Sequence, residues 1–129
     1  MVKIGFTAGT WDFVHASHVQ HFIECKKYCD YLVVGVQIDP SIDRPEKNAP
    51  VMSLEERLTM LRANRYVDAV IVYGSEDELM AIEKWLPVDY RFRGKDHEGE
   101  EHYETRGEFI TIDAGIIHSS DIKKRCLKL

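Results

Sequence analysis

The stretch GTWDFVHASH, residues 9–18, decides how this chain can fold. The apolar run Lys3–Ala8 before it predicts a buried strand, and the amphipathic residues after it predict a helix. His15 and His18 fall three residues apart in the first turn of that helix, where unpaired backbone N–H groups and positive potential are available. A helix start of this kind binds phosphate. The stretch therefore predicts a strand, loop and helix built around a phosphate.

Composition narrows the class of protein. With 129 residues, 44% of them hydrophobic and 30% charged, the chain fits one globular domain, residues 1–129. The formal net charge of −5 argues against non-specific binding to nucleic acid. No apolar run reaches the roughly 20 residues of a membrane span, and no signal peptide opens the chain. Three cysteines without zinc or disulfide spacing complete the prediction of a cytoplasmic domain without a metal site of its own.

Strand and helix patterns alternate along the chain. The predicted strands are Lys3–Ala8, Tyr31–Val36, Ala69–Tyr73, Tyr90–Arg93 and Glu108–Ile112. The predicted helices are Ser17–Cys29, one capped by Ser53 and Glu56, one from Ser75 to about Leu86, and one capped by Ser119 or Ser120. This alternation predicts a Rossmann-like doubly wound α/β sheet of about five parallel strands with helices on both faces. Ligands of such sheets bind beyond the carboxyl ends of the strands.

Two polar segments interrupt the regular pattern. The loop 39–52 is rich in proline and charge, and long loops of this kind often carry function. The segment 94–107 holds His97 and His102 among glutamates, which we interpret as a solvated loop rather than a metal site.

Five motifs in order resemble the cytidylyltransferase family, most closely its small glycerol-3-phosphate cytidylyltransferase type. Residues 9–18 look like the signature GTFDxxHxGH, and DYLVVG at 30–35 looks like the family's second strand. RYVDAV at 65–70 is similar to RYVDEV, RGKD at 93–96 to the G-D-D region, and IHSSDI at 117–122 to ISTTxI. The resemblance covers nearly the whole chain.

The resemblance implies a reaction. The family transfers a nucleoside monophosphate from CTP, or ATP in relatives, to a phosphorylated small molecule, and pyrophosphate leaves with Mg²⁺ present on the nucleotide. We therefore expect a cytidylyltransferase that makes a CDP-linked product such as CDP-glycerol. In the family the segment matching residues 65–70 lies near a dimer interface, which implies a homodimer.

The resemblance also implies site residues. His15 and His18 would contact the α- and β-phosphates and stabilise the transition state. The expected catalytic residues are His15, His18, Lys47 and Arg57, with Arg44 as the alternative to Lys47. The expected nucleotide-binding residues are Gly9, Thr10, Trp11, His15, His18, Gly94, Lys95, Asp96, Ile117, Ser119 and Ser120. Asp12 is expected to position the loop.

Three positions depart from the family pattern. Ser17 replaces the glycine of HxGH, Lys95 replaces the first aspartate of the G-D-D region, and Asp113 replaces an arginine. The candidates to supply the missing cation are His118, Lys123 and Lys124. The heptose-phosphate adenylyltransferase branch also has a non-acidic residue at the position of Lys95. An adenylyltransferase acting on a sugar phosphate or FMN, and a nucleotide-binding module without turnover, therefore remain alternatives.

Overall fold

A computed structural model describes residues 1–95, 105–114 and 119–128. The strands are β1 (Ile4–Gly9), β2 (Tyr31–Gln37), β3 (Ala69–Tyr73), β4 (Tyr90–Gly94) and β5 (Glu108–Ile112). The helices are α1 (Ala16–Lys26), α2 (Leu54–Arg62), α3 (Glu76–Trp85) and α4 (Ser119–Cys126). Strands and helices alternate through most of the chain, as the sequence pattern predicts.

The five strands form one sheet in the order β3-β2-β1-β4-β5, and every neighbouring pair is parallel. Successive side chains of a strand point to opposite faces. Val34 packs in the same core as Phe22 of α1 and Leu61 of α2. Val33 packs instead with Leu79 of α3. The helices thus cover both faces, and the predicted Rossmann-like α/β fold is confirmed.

The strand order places a switch point between β1 and β4. The chain leaves β1 toward β2 on one side, and returns later to β4 on the other side. The register that pairs Thr7 with Phe92 brings the carboxyl ends of β1 and β4 next to each other. Loops that leave adjacent strands in opposite directions open a crevice at that edge, which is where ligands of such sheets bind.

Local capping signals predict the helix starts well. Ser53 and Glu56 form a reciprocal capping box at α2, and Ser75 caps α3 by accepting from the backbone N–H of Glu78 at 3.1 Å. The predicted buried sides of α2 and α3 are confirmed at Leu58 and Leu79.

Three details of the helix prediction are wrong. Helix α1 ends at Lys26, so Cys29 lies beyond it, although the buried Cys25 and Cys29 are free thiols as expected. Met60 of α2 is 46% exposed instead of buried, because α2 has its inward face at Leu58 and Leu61. Helix α4 begins at Ser119, so Ser119 and Ser120 lie in its first turn rather than before it. None of the described helices is long and apolar enough to cross a membrane.

Candidate active site

The loop from β1 to α1 has a strained backbone. Trp11 has a φ of 58° and Phe13 a φ of 51°, a left-handed conformation that costs a non-glycine residue about 1–3 kcal/mol. The indole N–H of Trp11 donates to the Gly35 carbonyl of β2 at 2.8 Å. The backbone N–H of Phe13 lies 3.3 Å from the sulfur of Met52. These contacts hold the loop in a shape that the isolated chain would avoid.

His15 and His18 form the N-terminal cap of α1. The Nδ1 of His15 accepts from the backbone N–H of Ser17 at 3.3 Å, and the Nδ1 of His18 accepts from the backbone N–H of His15 at 3.3 Å. A neutral imidazole whose Nδ1 accepts carries its proton on Nε2. Both rings are therefore Nε2–H donors at the positive end of a helix, which is a suitable arrangement for phosphate oxygens.

The orientation of the two rings is set by packing. Their centroids are 3.9 Å apart in a stacked arrangement, and Trp11 meets His18 edge-on with centroids 5.2 Å apart. Below them the buried His21 forms a 2.9 Å hydrogen bond between its Nε2 and the Thr7 hydroxyl of β1. The support roles of Trp11 and His21 were not expected from the sequence, although His21 follows His18 at helical spacing. Trp11 is 8% exposed, so the structure makes it a support for His18, while its contact with a nucleotide stays a prediction.

Asp12 is buried at the centre of the loop. Its carboxylate accepts from the backbone N–H groups of Val51 and Met52, both at 3.0 Å, and from the ammonium of Lys123 in α4 at 2.8 Å. Burial raises the pKa of Asp12, but the hydrogen bonds from Lys123, Val51 and Met52 outweigh it and hold the pKa below its ordinary value. Asp12 is therefore a carboxylate at neutral pH, and it ties three segments together as a positioning residue.

Arg57 of α2 is buried, with 2% of its surface exposed. Its guanidinium donates to four backbone carbonyls at the carboxyl edge of the sheet. These acceptors are Thr10 O at 3.0 Å, Gln37 O at 2.6 Å, Ile38 O at 2.7 Å and Met52 O at 3.3 Å. The structure thus makes Arg57 a link between the ends of β1 and β2 and the start of α2. Its expected direct contact with phosphate stays a prediction that this geometry does not favour.

The remaining expected site residues are distributed around the crevice. Gly9 and Gly94 end β1 and β4, and Thr10 lies beside Arg57. Lys47 is exposed in the loop 39–52, and Arg44 pairs with Glu76 of α3 at 3.3 Å. Ser120 is exposed in the first turn of α4. Asp96, Ile117 and the side chain of Ser119 lie outside what the structure describes.

Two of the departures from the family pattern contact each other. The register between β4 and β5 pairs Gly94 with Ile112, so the residues that follow them lie side by side. The ammonium of Lys95 is 3.4 Å from the carboxylate of Asp113. The family pattern has an aspartate at the first position and an arginine at the second, so the two charges have been exchanged. Both side chains are more than half exposed, so this pair contributes little to stability.

Comparison with known proteins identifies the family of the chain. A sequence profile described as cytidylyltransferase-like matches residues 6–109. Bifunctional protein HldE of Gluconacetobacter diazotrophicus is 36% identical over 99 residues, which are 74% of this chain and 20% of that protein. HldE of Campylobacter jejuni is 32% identical over 127 residues, 95% of this chain and 27% of that protein. The chain therefore spans about a fifth to a quarter of the length of these curated relatives.

Solved structures share the fold. The lipopolysaccharide core biosynthesis protein from Thermoplasma volcanium aligns with a TM-score of 0.71 at 19% identity, over 88% of this chain and 98% of that one. Pantothenate synthetase from Thermus thermophilus aligns with a TM-score of 0.55 at 14% identity, over 86% of this chain and 55% of that one. Both alignments show the Rossmann-like α/β fold of the chain. The chain belongs to the cytidylyltransferase-like family.

The position of Arg57 leads to a stability prediction. Arg57→Met removes the donors from four carbonyls in a buried setting, so we expect the free energy of unfolding to fall by about 3–5 kcal/mol. Urea denaturation measures this change. Arg62→Met, at an exposed position of the same helix, is the matched control and should change stability by less than about 1 kcal/mol. An Arg57→Met protein that is as stable as the wild type would contradict this support role.

Proposed function

We propose that this chain transfers a nucleoside monophosphate from a nucleoside triphosphate to a phosphorylated small molecule and releases pyrophosphate. The observation that carries the proposal is the pair of Nε2–H donors of His15 and His18. They stand at the amino end of α1, beside the switch point of the sheet. Family membership supports the same reaction class.

In the proposed reaction a phosphate oxygen of the acceptor attacks the α-phosphorus of the nucleotide. A new P–O bond forms as the bond between the α-phosphorus and the bridging oxygen breaks, and pyrophosphate leaves with that electron pair. Negative charge grows on the leaving oxygens and on the oxygens of the transferred phosphoryl group. Donors that are already oriented stabilise this charge without covalent participation, and this is the role proposed for His15 and His18.

Mg²⁺ is proposed to enter as part of the substrate, bound to the triphosphate. Among the residues that the structure describes, no group of three or more His, Cys, Asp or Glu side chains could hold a metal ion. Mg²⁺ commonly keeps several waters and binds through substrate phosphates with few protein carboxylates. A site without a protein cage is compatible with that mode of binding.

The proposed donor is CTP and the proposed acceptor is a small polyol phosphate resembling glycerol-3-phosphate. The choice of CTP and of a polyol phosphate rests on the five family motifs of the sequence. ATP with a sugar phosphate or FMN is the second candidate, because Lys95 stands where the cytidylyltransferase pattern has an aspartate. A cytoplasmic homodimer that contacts through residues 65–70 is a further proposal that rests on the resemblance.

The proposed function is tested by pyrophosphate release. The full chain is incubated with Mg²⁺, each of the four nucleoside triphosphates, and a panel of polyol phosphates, sugar phosphates and FMN. Release with CTP and a polyol phosphate is expected. Release that depends on ATP would replace the first candidate with the second. Nucleotide binding without turnover for any pair would overturn both and leave a binding module.

The histidine pair leads to a kinetic prediction. His15→Ala and His18→Ala should each lower kcat by about 10²–10³-fold, the usual effect of removing one transition-state donor. Steady-state kinetics on the best substrate pair gives this number. His21→Asn serves as the control, because His21 bonds Thr7 below the site. This variant should lower the melting temperature but leave kcat well above that of the two alanine variants. Full activity in both alanine variants would show that the site has been misplaced.

The exchanged charges lead to a specificity prediction. Lys95→Asp alone places two carboxylates together and should weaken binding of every nucleotide. Lys95→Asp combined with Asp113→Arg restores an opposite-charge pair in the family orientation. We expect the double variant to raise the ratio of kcat/KM for CTP over ATP by about tenfold, the value of one good hydrogen bond. A ratio that matches the wild type in both variants would exclude this pair from base selection.

A further inference from the structure

We propose that Lys123 of α4 is a positioning residue for the active site: by binding Asp12, it holds the histidine-bearing loop in its working conformation. The inference rests on the proposed function for its kinetic consequence. The coupling between Lys123 and Asp12 can be tested without turnover.

Lys123 makes two contacts with the loop. Its ammonium is 2.8 Å from the Asp12 carboxylate and lies 5.4 Å from the centroid of the Phe13 ring, on the next residue. The Asp12 side chain is 7% exposed and that of Lys123 is 32% exposed. The carboxylate is shielded from water while the ammonium is partly exposed, so the ion pair is stronger than one on an open surface.

The loop requires such support because of its backbone. Asp12 lies between Trp11 and Phe13, the two residues with positive φ, and three residues before His15. Strained residues persist only where surrounding contacts over-determine them. Val51 and Met52 hold Asp12 from the segment before α2. Lys123 holds it from α4, which is 111 residues away along the chain.

Electrostatics give the same assignment. Among the described residues, the cations that act on Asp12 include Lys123 from α4 and Arg57 from α2. The hydrogen bonds of Arg57 go to backbone carbonyls, whereas Lys123 donates directly to the carboxylate. Burial raises the pKa of Asp12, and the hydrogen bond from Lys123 is the largest of the described effects that lower it. Without Lys123 the pKa of Asp12 should rise.

The position of α4 explains how the Lys123–Asp12 contact can affect the active site. Lys123 lies about one turn after Ser119 and Ser120, which the family resemblance assigns to the triphosphate. The hydrogen bond from Lys123 to Asp12 therefore connects the first turns of α4 with the loop that leads to His15. Lys123, one of the candidates for the missing cation, is bound to Asp12 and is therefore assigned to the loop instead of the substrate.

The kinetic test uses Lys123→Gln and Lys123→Arg, with Arg125→Gln at an exposed position of the same helix as the matched control. Lys123→Gln should lower kcat by about ten- to a hundredfold, because the loop no longer holds the two histidines in position. The KM for the nucleotide should change by less than about threefold, because Lys123 acts through Asp12 rather than on the substrate. Lys123→Arg should recover most of the activity, and Arg125→Gln should match the wild type. A higher KM with unchanged kcat would show direct substrate binding and overturn the proposal.

A second test follows thermal stability from about pH 7 to about pH 2. Because the pKa of Asp12 is lowered in the folded state, its contribution is present above its unfolded pKa and is lost as pH falls through the folded pKa. Lys123→Gln should be less stable than the wild type, Lys123→Arg and Arg125→Gln at pH 7, and this difference should shrink below about pH 4, because the other three proteins lose the contribution of Asp12 there. Superimposable curves would overturn the coupling. If no variant, including the wild type, turns over any nucleotide, the proposed function fails while this measurement still decides the Lys123–Asp12 contact.

Discussion

The guanidinium of Arg57 is the interaction on which the carboxyl edge of the sheet depends. Parallel strands end in carbonyl oxygens that no longer have a partner strand, and buried carbonyls need hydrogen-bond donors. Arg57 is 2% exposed and bonds three such oxygens at the ends of β1 and β2, together with the carbonyl of Met52 before α2. A buried cation is costly unless it is fully hydrogen-bonded, so these segments and Arg57 stabilise one another. The crevice has a fixed floor because of this mutual dependence.

Above that floor, the residues that support the site differ from those that face the crevice. Asp12 and Arg57 are buried charges of opposite sign that bond mainly to the protein's own backbone. Trp11 bonds Gly35 and packs edge-on against His18. Because these supports hold the loop, the donors proposed for His15 and His18 are already oriented before any reaction begins. Rigid support of this kind is what electrostatic stabilisation of a transition state needs.

Sequence reasoning succeeded where the signal was local and failed where it was not. Capping at Ser53 and Ser75 and the β-branched runs lie within a few residues, so they predicted elements and fold correctly. The end of α1 was missed because Cys29 stays buried after the helix stops, and an apolar pattern continues past the last helical turn. Arginines are mostly exposed, so nothing local marked Arg57 as buried. The Asp12–Lys123 contact depends on the complete fold.

The difference between local signals and contacts that depend on the fold also explains how Lys95 and Asp113 were interpreted. Taken singly along the sequence, each looks like the loss of a functional charge. The register of β4 and β5 places the two side chains next to each other. Together they keep one positive and one negative charge at this edge of the sheet, in positions reversed from the family pattern. The chain therefore differs from the family pattern in the orientation of the Lys95–Asp113 pair, and neither position of the sequence shows this on its own.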